Sequence, residues 1–169
     1  MIVHGDIWAN NILFKKNKEG KIQNAVLIDF QLVRYAPPAH DFITFLHLVQ
    51  NRAFRKENQY ELMRIYYHHL SKLLLLKDLN PNELLPWKEF VESCEYYEEY
   101  GVITCLFFFQ LILAPNEISS RFLSSPDIFF NNMLVDRGGM VLECFLSDEV
   151  YRERTIEALN ELIEKFILI

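Results

Sequence analysis

Two short apolar runs open the chain, NILF at 11–14 and NAVLIDF at 24–30, with the polar segment KKNKEGKIQ and its Gly20 between them. Short β-branched, apolar runs joined by a Gly-containing turn predict a β-hairpin. Asp6 stands before that hairpin and Asp29 near its far end. Closing the hairpin therefore brings two carboxylates, distant in sequence, to the same end of the sheet. After APPAH the apolar period changes from two to 3.6. Phe42, Phe45, Leu46 and Val49 then fall on one helical face. Asp41 stands at the start of that helix, where a carboxylate favours the free amides and the dipole.

A second helix is predicted from about 58 to 77, with Met63, Tyr66, Tyr67, Leu70, Leu73 and Leu74 on one face, until LNPNELLP breaks it. Trp87 to about Leu113 reads as one long helix, or as two joined near Gly101. SSPDIFFNN, with Asn131 and Asn132, and DRGGM read as loops around a short element. A last helix is expected from about 148 to 167, with Ser147 as N-cap and Asp148 and Glu149 in its first turn. Its expected inner face holds Ile156, Leu159, Leu162, Ile163, Phe166 and Ile167. No internal repeat appears. The expected fold class is α+β, mostly α: a single domain with a β-hairpin unit in residues 1–50 and a helical part over 51–169.

Composition narrows the function classes. Hydrophobic residues make up 51% and aromatics 14%, which excludes a disordered chain. The net charge of −6 excludes a nucleic-acid surface, which needs clustered Lys and Arg. Lys15, Lys16, Lys18 and Lys21 read as a solvated turn. Cys94, Cys105 and Cys144 lack metal-ligand spacing and are expected as buried reduced thiols of a cytoplasmic protein. The most apolar stretch, VITCLFFFQLILA at 102–114, is shorter than the roughly 20 residues a bilayer span needs, so a buried core helix is expected instead. His68 and His69 lie mid-helix with no carboxylate or Cys at ligand spacing, and are read as structural.

The candidate chemistry lies in VHGDIWANNILF at 3–14 and LIDFQ at 27–31. Phosphoryl transfer needs a carboxylate to orient and deprotonate the attacking hydroxyl, and oxygen ligands to hold magnesium on the phosphates. In kinases these are a loop Asp, an Asn five residues later, and an Asp closing the next hairpin. Asp6, Asn11 and Asp29 have that order and spacing. The H-G-D-x-x-x-x-N loop resembles that of the aminoglycoside- and choline-kinase-like phosphotransferases. Trp8, IDFQ in place of D-F-G, and PPAHDFITFL resemble more narrowly the ecdysteroid-kinase-like, or CHK-kinase-like, family of insects.

The resemblance implies a protein-kinase-like C-terminal lobe, with catalytic loop and hairpin followed by a helical bundle. It makes Asp6 the catalytic base, and Asn11 and Asp29 ligands of Mg2+ on ATP. His4 would hold the loop in shape near Phe30. Gly5 stands where protein kinases place an Arg and Gln31 where they place a Gly, which turns the expectation from a protein to a small-molecule hydroxyl acceptor. An aromatic-rich lobe would suit a sterol-like alcohol. Asp41 also has a family counterpart, read here as capping the helix and anchoring the loop, and Trp8 is read as a wall of the cleft or a core residue. Only MIV precedes the loop, and no Gly-rich loop follows it. The expectation is that an N-terminal lobe lies upstream in the same polypeptide, and that this chain alone binds Mg-ATP weakly without useful turnover. The alternative is a truncated, non-catalytic lobe serving as a binding or interaction module.

Overall fold

The computed structural model describes residues 1–168. These form two compact units, residues 1–101 and 102–168. Strand β1 (Ile2–Val3) enters a loop that ends in a 3-10 turn, Ala9–Asn11, and leads into β2 (Ile12–Lys16). Asn17 then folds the turn: its Oδ1 accepts from the amides of Glu19 and Lys21, and Gly20 adopts φ +80°. The chain returns as β3 (Ile22–Leu27), antiparallel to β2, with Ile12 opposite Leu27. A short β4 (Arg34–Tyr35) pairs antiparallel with β1. The predicted hairpin is present. Ile28, Asp29 and Phe30, however, lie beyond the strand.

Helix α1 (Ala39–Val49) follows, and its buried face differs from the predicted one. Ile43, Thr44, Leu46 and His47 are buried, whereas Phe42, Phe45 and Val49 are only partly so. Two of these polar residues enter the core because each meets its own helix: Thr44 Oγ1 donates to the His40 carbonyl, and His47 Nδ1 lies 2.9 Å from the Ile43 carbonyl. Helix α2 (Arg52–Leu75) starts earlier than its apolar stripe, because the Asn51 side chain accepts from the Phe54 amide and caps it. Met63 is buried on its inner face, but Leu73 points outward. A short α3 (Pro81–Leu84) precedes α4 (Trp87–Ile112), which is continuous through Gly101. A Cβ at Gly101 would lie 2.7 Å from His47 Nδ1, so the glycine lets α1 approach.

Phe90 is the centre of the first unit's core. It is fully buried with Ala39, Ile43, Met63 and Cys94 around it. Tyr66 stacks on its ring at 5.6 Å, and Tyr67 and Trp87 pack against it at 5.6 and 5.9 Å. Burial, with Asp41 and Cys94 nearby, pushes the Tyr66 phenol up to about 12.

The second unit corrects several expectations. SSPD is a helix start, not a loop: Ser125 caps α6 (Pro126–Phe130), with proline in the first turn. Asn131 and Asn132 continue it as a π turn, and the Gly-Gly pair opens α7 (Gly138–Ser147). Before these comes α5 (Asn116–Phe122). Asp148, not Ser147, caps α8 (Glu149–Leu162), since its carboxylate accepts from the Tyr151 amide at 2.7 Å. The buried face of α8 holds Tyr151, Thr155, Ala158 and Glu161, while Ile156, Leu159 and Ile163 are exposed. Packing thus turns the helix away from its most apolar stripe. The final segment, Ile163–Ile167, is a π turn.

All three cysteines are buried and unbridged. No single helix among the described residues is long and apolar enough to cross a membrane.

Candidate functional site

The loop after β1 is shaped by a glycine. Gly5 has φ +80°, and a Cβ there would lie 2.2 Å from the Leu32 carbonyl oxygen and 2.9 Å from Arg34 Nε. No other residue fits both the left-handed backbone and the close approach. His4 is buried and does three things at once. Its Nε2–H donates to the Ile28 carbonyl at 2.9 Å. That fixes the tautomer, so Nδ1 is left to accept from the Asp6 amide at 3.3 Å. Its ring packs on Phe30 with centroids 4.7 Å apart. One imidazole therefore ties the residue at position 6 to the segment that carries Asp29.

Asp41 holds the loop from behind. Its Oδ2 accepts from the His4 amide at 2.6 Å and its Oδ1 from the Gly5 amide at 3.0 Å. Although it lies in the first turn of α1, its oxygens serve the loop rather than the helix's own amides. Burial raises its carboxyl, but hydrogen bonds from His40, Gly5 and His4 outweigh that and hold it below the ordinary 3.8.

Asn11 is buried at the end of the 3-10 turn. Its Nδ2 donates to the Asp6 carbonyl at 2.8 Å and to Asp6 Oδ2 at 3.2 Å. The five-residue spacing thus becomes a direct contact, closed by the short turn between the two residues. Asn11 Oδ1 accepts no hydrogen bond from the described residues. The Asn11 carbonyl accepts from the Ile28 amide at 3.0 Å, which sets Asn11 beside the residue preceding Asp29. Among the described residues Asp29, at φ +62°, is one of two non-glycine residues with positive φ, and it is exposed with no hydrogen-bond or ion-pair partner there. A left-handed aspartate costs about 1 kcal/mol or more relative to glycine. Trp8 is half-buried beside the 3-10 turn.

The hairpin therefore gathers Asp6, Asn11 and Asp29 at one end, with His4, Gly5 and Phe30 around them. An amide oxygen and a free carboxylate suit magnesium, which takes few protein ligands and keeps several waters. Among the described residues no group of three or more His, Cys, Asp or Glu is arranged to hold a metal ion. His68 and His69 are exposed on α2 with their rings 5.6 Å apart. Sequence reasoning missed His40, whose Nδ1 lies 3.0 Å from Asp41 Oδ1. No local pattern marks a histidine beside a helix-start aspartate as part of a site.

Comparison with known proteins adds one match. No curated protein and no solved structure matches the chain. Residues 1–80, which hold the loop, the hairpin and Asp41, match the model of the ecdysteroid kinase-like family, the family that the spaced motifs resemble.

Proposed function

We propose that the chain carries the catalytic part of an ATP-dependent phosphotransferase whose acceptor is a hydroxyl of a small, sterol-like molecule. The observation that carries this reading is the contact of Asn11 with Asp6 at the hairpin end that also presents Asp29. Asp6 accepts the proton of the acceptor hydroxyl and orients it. Asn11 Nδ2 holds the Asp6 carboxylate in place, which leaves Oδ1 for a metal. Asn11 and Asp29 would hold Mg2+, which when bound neutralises charge on the phosphates of ATP. The strained backbone at Asp29 supports this role, because a left-handed aspartate without partners contributes nothing to folding.

A second reading has one observation in its favour. Leu13, Phe14, Val26, Phe30 and Tyr35 are all at least half exposed, as on a surface that receives another protein segment. On that reading the chain is a binding module that keeps the loop without using it.

A manganese–ATP titration followed by NMR separates the two and works even for weak binding. The paramagnetic ion should broaden Asn11 and Asp29 first, and Asp29→Asn should remove the effect. Broadening centred elsewhere, or unaffected by that variant, rules out the metal assignment. Wherever turnover is measurable, Asp6→Asn should lower it by about a hundred- to ten-thousand-fold.

A further inference from the structure

His40 lies outside the set that phosphotransferase motifs assign. It precedes Asp41 in the first turn of α1 and is only 4% exposed. The edge of Tyr97 meets its ring at 5.5 Å, and Tyr100 lies against it at 5.0 Å. Nδ1 sits 3.0 Å from Asp41 Oδ1, and Nε2 has no hydrogen-bond partner. A carboxylate only accepts, so Nδ1 carries the proton and the ring is oriented by this one bond and by the two tyrosines. The arrangement resembles the way an imidazole and a carboxylate fix one another in many sites, but here the carboxylate's other bonds go to backbone.

The three donors on Asp41 divide unequally. Oδ2 receives the His4 amide, while Oδ1 receives both the Gly5 amide and His40 Nδ1. The two amides belong to a loop that buries little apolar surface. The imidazole belongs to the same rigid helix turn as Asp41 and is wedged between rings of α4. His40 therefore is the partner that sets the rotation of the carboxylate, and the loop amides follow it.

We propose that His40 is a positioning residue for Asp6: its Nδ1–H fixes the Asp41 carboxylate, which clamps the amides of His4 and Gly5 and so sets where the chain delivers Asp6. The last link is already on the page, since the Asp6 amide bonds to His4 Nδ1. The importance of this chain for turnover rests on Asp6 being the base. The link from His40 to the loop does not.

The test uses the 169-residue protein and three substitutions. His40→Leu keeps an apolar filler between the tyrosines and removes the donor. His40→Asn restores a donor, because its amide nitrogen is as many bonds from Cα as Nδ1 is. Hydrogen exchange is read at the His4 and Gly5 amides and, as reference, at the Met63 amide in α2. In His40→Leu the two loop amides should exchange about tenfold faster relative to Met63, the effect of one charge-assisted hydrogen bond. In His40→Asn they should return near the parent rate. Should His40→Leu fail to fold, His40→Gln serves, since its amide reaches the Nε2 position and the same tenfold loss is expected. Loop amides at parent rates in the variants lacking the donor overturn the proposal, as does equal loosening of Met63. Wherever turnover is measurable, His40→Leu should lower kcat about tenfold with KM for ATP unchanged. Faster loop exchange with unchanged kcat would leave the anchor standing and remove Asp6 from the chemistry.

Discussion

Within the first unit, residues 1–35 and the helices behind them are held together by different physics. In residues 1–35 only Val3, His4 and Asn11 are buried, and every residue of β3 is exposed. This segment is positioned by hydrogen bonds: Asp41 to two amides, His4 to Ile28, and Asn11 to Asp6. The helical part is positioned by aromatic packing around Phe90. Apolar burial is non-directional, so it makes a stable platform but fixes no single orientation. Hydrogen bonds are directional, and a catalytic constellation needs direction more than bulk. The site therefore rests on few residues, each with a large local effect.

That contrast can be broken from either side. The largest loss should come from Phe90→Ala, which empties a fully buried ring position and should cost about 3–5 kcal/mol in urea unfolding. Next is Asp41→Ala, which leaves two loop amides without their acceptor and should cost about 2–4 kcal/mol. The same residue makes a pH prediction. Its folded-state value is lowered, so its contribution is complete above the ordinary 3.8 and disappears as pH falls through the lower folded value. Asp41→Asn should remove that part of the acid dependence of stability. If the variant loses stability in acid along the same curve as the parent, the carboxylate is not the loop's anchor.

Gly5→Ala should cost about 2 kcal/mol or more, because it combines a left-handed backbone with a Cβ against the Leu32 carbonyl. Its effect should concentrate in the loop, seen as faster exchange there than in α2. Asp29→Gly is a smaller change of opposite sign. It should raise stability by up to about 1 kcal/mol, since glycine relieves the positive φ, while abolishing manganese–ATP broadening. A loss of stability in that variant would show that Asp29 contributes to the fold. The smallest effect belongs to Phe14→Thr on the hairpin, half exposed and within about 0.5 kcal/mol of the parent. A much larger loss would mean that this segment is held by apolar burial after all.

What was legible in the sequence was local. The hairpin followed from two apolar runs and the turn at Gly20, and the five-residue spacing marked Asp6 and Asn11 as a pair, whereas their direct contact came only with the 3-10 turn between them. Helix starts were partly legible and partly misread. Asp148 took the capping place given to Ser147, and Ser125-Pro126 began a helix where a loop was expected. A serine or aspartate before a helix signals a cap, but two adjacent candidates compete, and the helix before them decides which is free. Ser147 Oγ is already engaged by the Glu143 carbonyl.

The sequence by itself determined the order of chemical groups along the chain and the short-range geometry that joins them, because those depend on neighbours a few residues apart. The tertiary structure decided the rest. It chose Ile43, Thr44 and His47 over Phe42 and Val49 as the buried face of α1, and turned the apolar stripe of α8 outward. It also gave Asp41 its partners, drawn from residues more than thirty positions away and from the histidine next to it. Periodicity records how apolar a face is but not which surface arrives to cover it. A carboxylate's place in the sequence shows that it can accept, and only folding brings the donors.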